Sequence, residues 1–129
     1  MAQGFLQSVL GQQFLQARQE GRFFRAEYRF VSVLQERLVN GSIDLLFQQA
    51  DGSYTIVDYK SDKGICAGKY LAQQKCYRLA AARLLGIPEA HIHCYLFFLC
   101  YGQPVDIGAQ LDGMTESDLL PPAETGVTP

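Results

Sequence analysis

The chain has 129 residues, 48% apolar and 19% charged, the balance of one globular domain rather than a disordered segment. No apolar run approaches the ~20 residues of a bilayer span, and the opening MAQGFLQSVLGQQF has neither a basic start nor a small-residue cleavage site, so the expectation is a protein with no membrane partner and no signal peptide. Eleven Lys and Arg against thirteen Asp and Glu leave a net charge of −2, which excludes a charge-only nucleic-acid binder but not an enzyme that holds DNA through a metal and a local patch.

Phe5, Leu6, Val9, Leu10, Phe14 and Leu15 recur at helical spacing and predict one amphipathic helix ending before Gly21. From Arg22 to Val33 the period changes to two, with Phe24, Ala26, Tyr28 and Phe30 on one face and Arg25, Glu27 and Arg29 on the other, the pattern of a strand. Leu38–Gln49 and Ser53–Lys60 read as two further strands joined at Ala50-Asp51-Gly52. Cys66–Leu85 reads as a long helix, with Gly86 placed for its C-terminal cap and Pro88 just beyond. His91–Tyr101 is a strand apolar on both faces around Leu96-Phe97-Phe98-Leu99, hence buried. The order α-β-β-β-α-β predicts an α/β fold, a central mixed sheet flanked by helices, in a single domain over 1–113 with a tail over 114–129.

Cys66, Cys76, Cys94 and Cys100 form no CxxC pair, so zinc-ribbon and iron–sulfur readings have no support; the expectation is reduced thiols in a cytoplasmic protein. His91 and His93 would share one strand face, but no third His or Cys stands at a ligand spacing, and they read as edge or sheet-face histidines.

The most informative stretch is GSIDLLFQQADGSYTIVDYKSDK, residues 41 to 63, because strands this apolar should not carry charges near their middles without cause. The connecting loop decides whether Asp44 and Asp58 meet. A two-residue Asp51-Gly52 turn pairs Ala50 with Ser53 and sends the two carboxylates to opposite faces. A three-residue loop with Gly52 left-handed pairs Gln49 with Ser53, sets Asp44 opposite Asp58 and puts Lys60 on the same face. Opposed carboxylates repel unless a cation lies between them. Two of them beside a lysine suit Mg²⁺, which keeps several waters and takes one or two carboxylates plus phosphate oxygens. The plainer reading is a structural Asp58–Lys60 ion pair at a hairpin end.

At this point the residues resemble a family. Asp44, then Asp58-Tyr59-Lys60 fourteen residues on, fits the D…(D/E)xK signature of the restriction-endonuclease-like nucleases. Gly41-Ser42-Ile43-Asp44-Leu45 is similar to the G-x-I-D-L segment of the RecB/AddA-type C-terminal nuclease domain of ATP-dependent helicase–nucleases, and Val57-Asp58-Tyr59-Lys60-Ser61-Asp62 to its hydrophobic-D-Y-K hallmark. Tyr70, Gln73 and Tyr77 match its Y-x-x-Q-x-x-x-Y block, and Glu27 stands where the family has a glutamate in the first core strand. The resemblance runs from about Glu27 to Gly86; DxK alone is weak, and the four blocks in order are strong.

The resemblance implies a restriction-endonuclease-like core and Mg²⁺-dependent hydrolysis of DNA phosphodiesters, exonucleolytic and in repair or recombination, with Mn²⁺ able to substitute. Asp44 and Asp58, with the backbone carbonyl of Tyr59, would hold the metal. Lys60 would orient the attacking water or stabilise transition-state charge, Glu27 would support the metal directly or through water, and Gln73, Tyr77 and Tyr70 would face the site and the DNA. Each has a plainer alternative: Glu27 between Arg25 and Arg29 also suits an exposed ion pair, Tyr70 and Tyr77 suit helix-edge packing, and Gln74 competes with Gln73 as the inward amide. Relatives carry a histidine on a helix upstream of the glutamate strand, whereas no histidine precedes His91 here. No Walker A motif occurs, so there is no ATP site, and the implied partners are DNA, a helicase domain of the same parent chain and a second nuclease/helicase subunit. The competing function is a non-catalytic DNA-end-guiding or subunit-docking module on the same fold.

Overall fold

The computed structural model describes residues 3–34, 36–63 and 67–115. Over these the elements are α1 (Gln3–Leu6), α2 (Val9–Gln19), β1 (Phe24–Leu34), β2 (Arg37–Gln48), β3 (Tyr54–Lys60), α3 (Leu71–Leu85), β4 (Ile92–Phe98), β5 (Gln103–Asp106) and α4 (Gly108–Asp112), with 3₁₀ turns at Ala67–Tyr70 and Glu89–His91. No helix among them is long and apolar enough to cross a membrane.

The five strands form one sheet in the order β1-β2-β3-β4-β5, antiparallel except for β3 and β4, which run parallel because α3 carries the chain between them. Two apolar layers hold the helices to it. On one face Phe5, Phe14 and Ala17 of α1 and α2 pack on Leu45, Phe47 and Phe97. There Phe14 meets Phe47 edge-on at 5.7 Å and Phe5 meets Phe97 at 5.3 Å. On the other face the small side chains of Ala80 and Ala81 let α3 lie close over Ile43, Leu46, Ile56 and Leu96. Gly86, left-handed at φ 69°, ends α3 as its position in the sequence predicts. An ionic cluster whose cations are buried ties α3 to its neighbours: Arg78 reaches Glu89 at 3.0 Å and Asp112 at 2.8 Å, and Lys75 shares Glu89.

Several expectations are corrected. The first helix is two helices, because the Ser8 hydroxyl donates to the Phe5 carbonyl (2.6 Å) and accepts the Gly11 N–H (3.1 Å), capping α2 and ending α1; Val9 is exposed rather than on the apolar face. The strand beginning at His91 starts instead at Ile92, and His91 sits in the preceding 3₁₀ turn, so His91 and His93 do not share a strand face. The order α-β-β-β-α-β gains β5 and α4; β5 contains Pro104, which a sheet edge accommodates because no further strand needs its missing N–H. The long helix begins with a 3₁₀ turn at Ala67, and Cys66 lies outside the described residues, as do residues 116–129 of the expected tail. Met114 packs against the α3-side core. Cys94 and Cys100 are free thiols.

The strand faces also shift. Phe24 packs on the α2 side, yet Tyr28 and Phe30 pack on the α3 side. The change falls at Glu27, whose φ of 52° is left-handed. Across the ladder β2 does the same: Ile43 belongs to the α3 side, Leu45 and Phe47 to the α2 side, and Leu46 to the α3 side. The partners Ala26↔Leu45 and Tyr28↔Ile43 place Glu27 and Asp44 opposite one another at this shift. A strict two-residue period therefore fails in both strands at the same rung, and Asp44 follows Ile43 onto the α3 side.

Candidate active site

The β2–β3 loop settles which hairpin register exists. Gln49 N–H donates to the Ser53 carbonyl (2.7 Å), Gly52 N–H donates to the Gln49 carbonyl (3.0 Å), and Gly52 is left-handed at φ 93°. Asp51 stabilises the loop by accepting the Ser53 N–H at 2.9 Å and hydroxyl at 2.7 Å. The ladder runs Gln48↔Tyr54 to Leu45↔Val57, so the next rung sets Asp44 opposite Asp58. Instead of a backbone pair, that rung holds a side-chain bond: Asp44 Oδ2 accepts the Tyr59 N–H at 2.8 Å.

Asp58 lies beneath α3, only 6% exposed. Its Oδ2 takes two donors, Lys60 Nζ at 2.7 Å and Gln74 Nε2 at 2.8 Å. The Asp58 carboxyl is raised from 3.8 to about 7, by burial first and by the adjoining Asp44 carboxyl, with Lys60 opposing both. Lys60 Nζ also donates to Gln73 Oε1 (3.3 Å) and stands 4.0 Å above the Tyr70 ring, a cation–π contact. The Tyr70 hydroxyl donates to Asp62, with Oδ1 at 2.7 Å and Oδ2 at 2.8 Å. The lysine is thus held by a carboxylate, an amide and an aromatic face.

Tyr77 seats on the other flank. Its hydroxyl is bonded to the Ser42 backbone and is raised by burial and by the nearby Asp58 and Asp44 charges. Its ring meets Phe30 edge-on at 5.4 Å directly over Gly41, where a Cβ would stand 2.6 Å from Tyr77 and 2.4 Å from Phe30. Tyr59 points to the opposite face, packs on Phe5 at 5.4 Å, and its buried hydroxyl has no hydrogen-bond partner among the described residues; burial lifts it to about 12.

The fold therefore brings together Asp44, Asp58, Lys60, Gln73, Tyr70 and Tyr77. Glu27 is opposite Asp44 along the ladder, but its side chain is exposed to solvent. Gln74, wholly buried, contacts Asp58, whereas Gln73 is exposed and reaches Lys60. The sequence signal for Gln74 was its adjacency to Gln73, and helix phase alone did not separate the two. Among the described residues no group of three or more His, Cys, Asp or Glu is gathered as a metal cluster. Two facing carboxylates, one forced toward its protonated form by burial and by the other, with oxygen as the only donor type, suit a hard divalent cation completed by water and phosphate oxygens.

The chain belongs to the PD-(D/E)XK nuclease superfamily, whose family model matches residues 2–117. Over 110 residues, 72% of this chain, it is 31% identical to a subunit of the ATP-dependent helicase/nuclease of Lysinibacillus sphaericus (strain C3-41). The chain spans 9% of the length of that relative. The mixed five-stranded sheet flanked by helices is the fold of this superfamily.

Proposed function

We propose that this chain is the nuclease domain of a helicase–nuclease and hydrolyses DNA phosphodiester bonds with Mg²⁺, or Mn²⁺ in its place, as a cytoplasmic exonuclease in repair or recombination. The observation that carries the reading is the Asp44–Asp58 pair under α3 with Lys60 on Asp58 Oδ2 at 2.7 Å. A non-catalytic module has no need to keep such a costly arrangement of like charges on an apolar hairpin.

Asp44, Asp58 and the Tyr59 backbone carbonyl would hold the cation. When bound, the cation supplies Lewis-acid polarisation of the phosphate and eases deprotonation of water. Lys60, fixed by Gln73 and by the Tyr70 ring, presents a positive charge where the pentavalent phosphorus gathers negative charge, and it needs no reorganisation at the moment of reaction. Asp58 holds that ammonium in place. Glu27, which is exposed, would act through solvent, and Tyr77 holds Gly41 and Ser42, the segment leading to Asp44. The similarity to a helicase/nuclease component supports DNA as substrate and two partners, a helicase domain in the parent chain and a second nuclease/helicase subunit. On this reading residues 1–113 are the nuclease-like domain and 114–129 its tail.

The test is cleavage of linear single- and double-stranded DNA by wild type and Asp58→Ala with EDTA, Mg²⁺ or Mn²⁺. Metal-dependent cutting from DNA ends by wild type, lost in the variant, is the expected result. Cutting that survives Asp58→Ala would overturn the assignment, and no cutting by either protein would favour the docking role.

A further inference from the structure

We propose that Gln74 is the positioning residue for Asp58, and that its carbonyl oxygen receives a water at the cation site; this rests on the nuclease reading above. Three observations carry the assignment. Gln74 is wholly buried, although it is a polar side chain within α3. Its Nε2 sits on Asp58 Oδ2 at 2.8 Å, the same oxygen that Lys60 Nζ holds at 2.7 Å. Its Oε1 is buried with no hydrogen-bond partner among the described residues.

A buried amide that uses its donor and leaves its acceptor empty costs about 1–3 kcal/mol relative to a satisfied one. An apolar side chain of the same volume would avoid that cost, so packing gives no reason for glutamine here. The arrangement makes sense if Asp58 must be held in one rotamer. Two donors on Oδ2 occupy that oxygen and leave Oδ1 as the one that would take the cation. Because an amide cannot reverse without breaking the Asp58 bond, the opposite end of the same group is fixed as an acceptor beside the carboxylates. Gln73, one residue earlier, is exposed and bonded to Lys60, so the two amides divide the work: Gln73 sets the lysine and Gln74 sets the carboxylate.

The experiment is Mn²⁺ binding to the 129-residue chain by calorimetry, without DNA, for wild type, Gln74→Met, Gln74→Asn and Asp58→Asn. Outer groups that orient metal ligands are worth about 10- to 100-fold in metal affinity, and a loss in that range is expected for both Gln74 variants. Gln74→Met removes the unsatisfied acceptor together with one donor to Asp58, so thermal melting is read beside the titration to confirm that the variant is folded. Gln74→Asn retains the amide but withdraws it by one methylene, and it keeps the test open if Met disturbs packing. Affinity within about twofold of wild type in both Gln74 variants, with Asp58→Asn no longer binding, would overturn the positioning role and leave the metal site standing. Unchanged affinity in Asp58→Asn would overturn the metal-site reading itself.

Discussion

Asp58→Asn should make the metal-free protein more stable while removing its proposed chemistry. In the fold the Asp58 carboxyl titrates at about 7, against 3.8 when unfolded. Between those values the folded state binds a proton that the unfolded state has released, so stability falls as pH rises from about 4 to about 7 and levels off above it. The difference of roughly three pH units, at ~1.4 kcal/mol each, means that ionised Asp58 costs at most ~4 kcal/mol at pH 8. Asparagine is neutral at every pH, can donate to Asp44, and still accepts from Lys60 and Gln74. The variant should therefore exceed wild type by about 2–4 kcal/mol at pH 8, a melting temperature higher by roughly 10 °C, and by little at pH 4. Guanidinium unfolding in EDTA at pH 4, 6 and 8 measures this. A variant less stable than wild type at pH 8, or a difference that does not grow with pH, would refute the claim that burial and the Asp44 charge strain Asp58.

Three further outcomes follow from the same contacts. Tyr70→Leu removes the ring beneath Lys60 and should lower the cleavage rate about tenfold, the worth of a ~1.4 kcal/mol cation–π contact, whereas Tyr70→Phe keeps the ring and should lose less; steady-state cleavage distinguishes them. Gly41→Ala places a methyl 2.4 Å from Phe30 and 2.6 Å from Tyr77, so thermal melting should report a loss of about 1–3 kcal/mol. Phe14→Ala empties a fully buried ring site between α2 and the sheet and should cost about 3–5 kcal/mol in chemical denaturation.

How far the sequence reveals this molecule can be judged at single residues. Apolar periodicity located α3 and the central strands, and Gly86 marked a helix end because a left-handed cap tolerates few other residues. The Asp51-Gly52 pair could not choose between loops, since it suits both a two- and a three-residue connection; the choice lies in Gln49 pairing with Ser53 and in Gly52 at φ 93°. The face shift at Glu27 was invisible, because a left-handed glutamate leaves no mark in a pattern of alternating polarity. That shift, shared with β2, accompanies the turn of Asp44 toward α3. Gln73 meets Lys60 and Gln74 meets Asp58, a division that two neighbouring glutamines do not reveal in a sequence. The short β5 escaped notice because Pro104 weakens its strand signal, although an edge position accepts it.

The hairpin register and the face shift together bring Asp44 and Asp58 to one proposed divalent-cation site, and anomalous diffraction from a Mn²⁺-soaked crystal tests that most directly. The account predicts a single strong peak within ~2.2 Å of an oxygen from each carboxylate, with Lys60 and Gln74 still on Asp58 Oδ2. A peak elsewhere, or none, would contradict it.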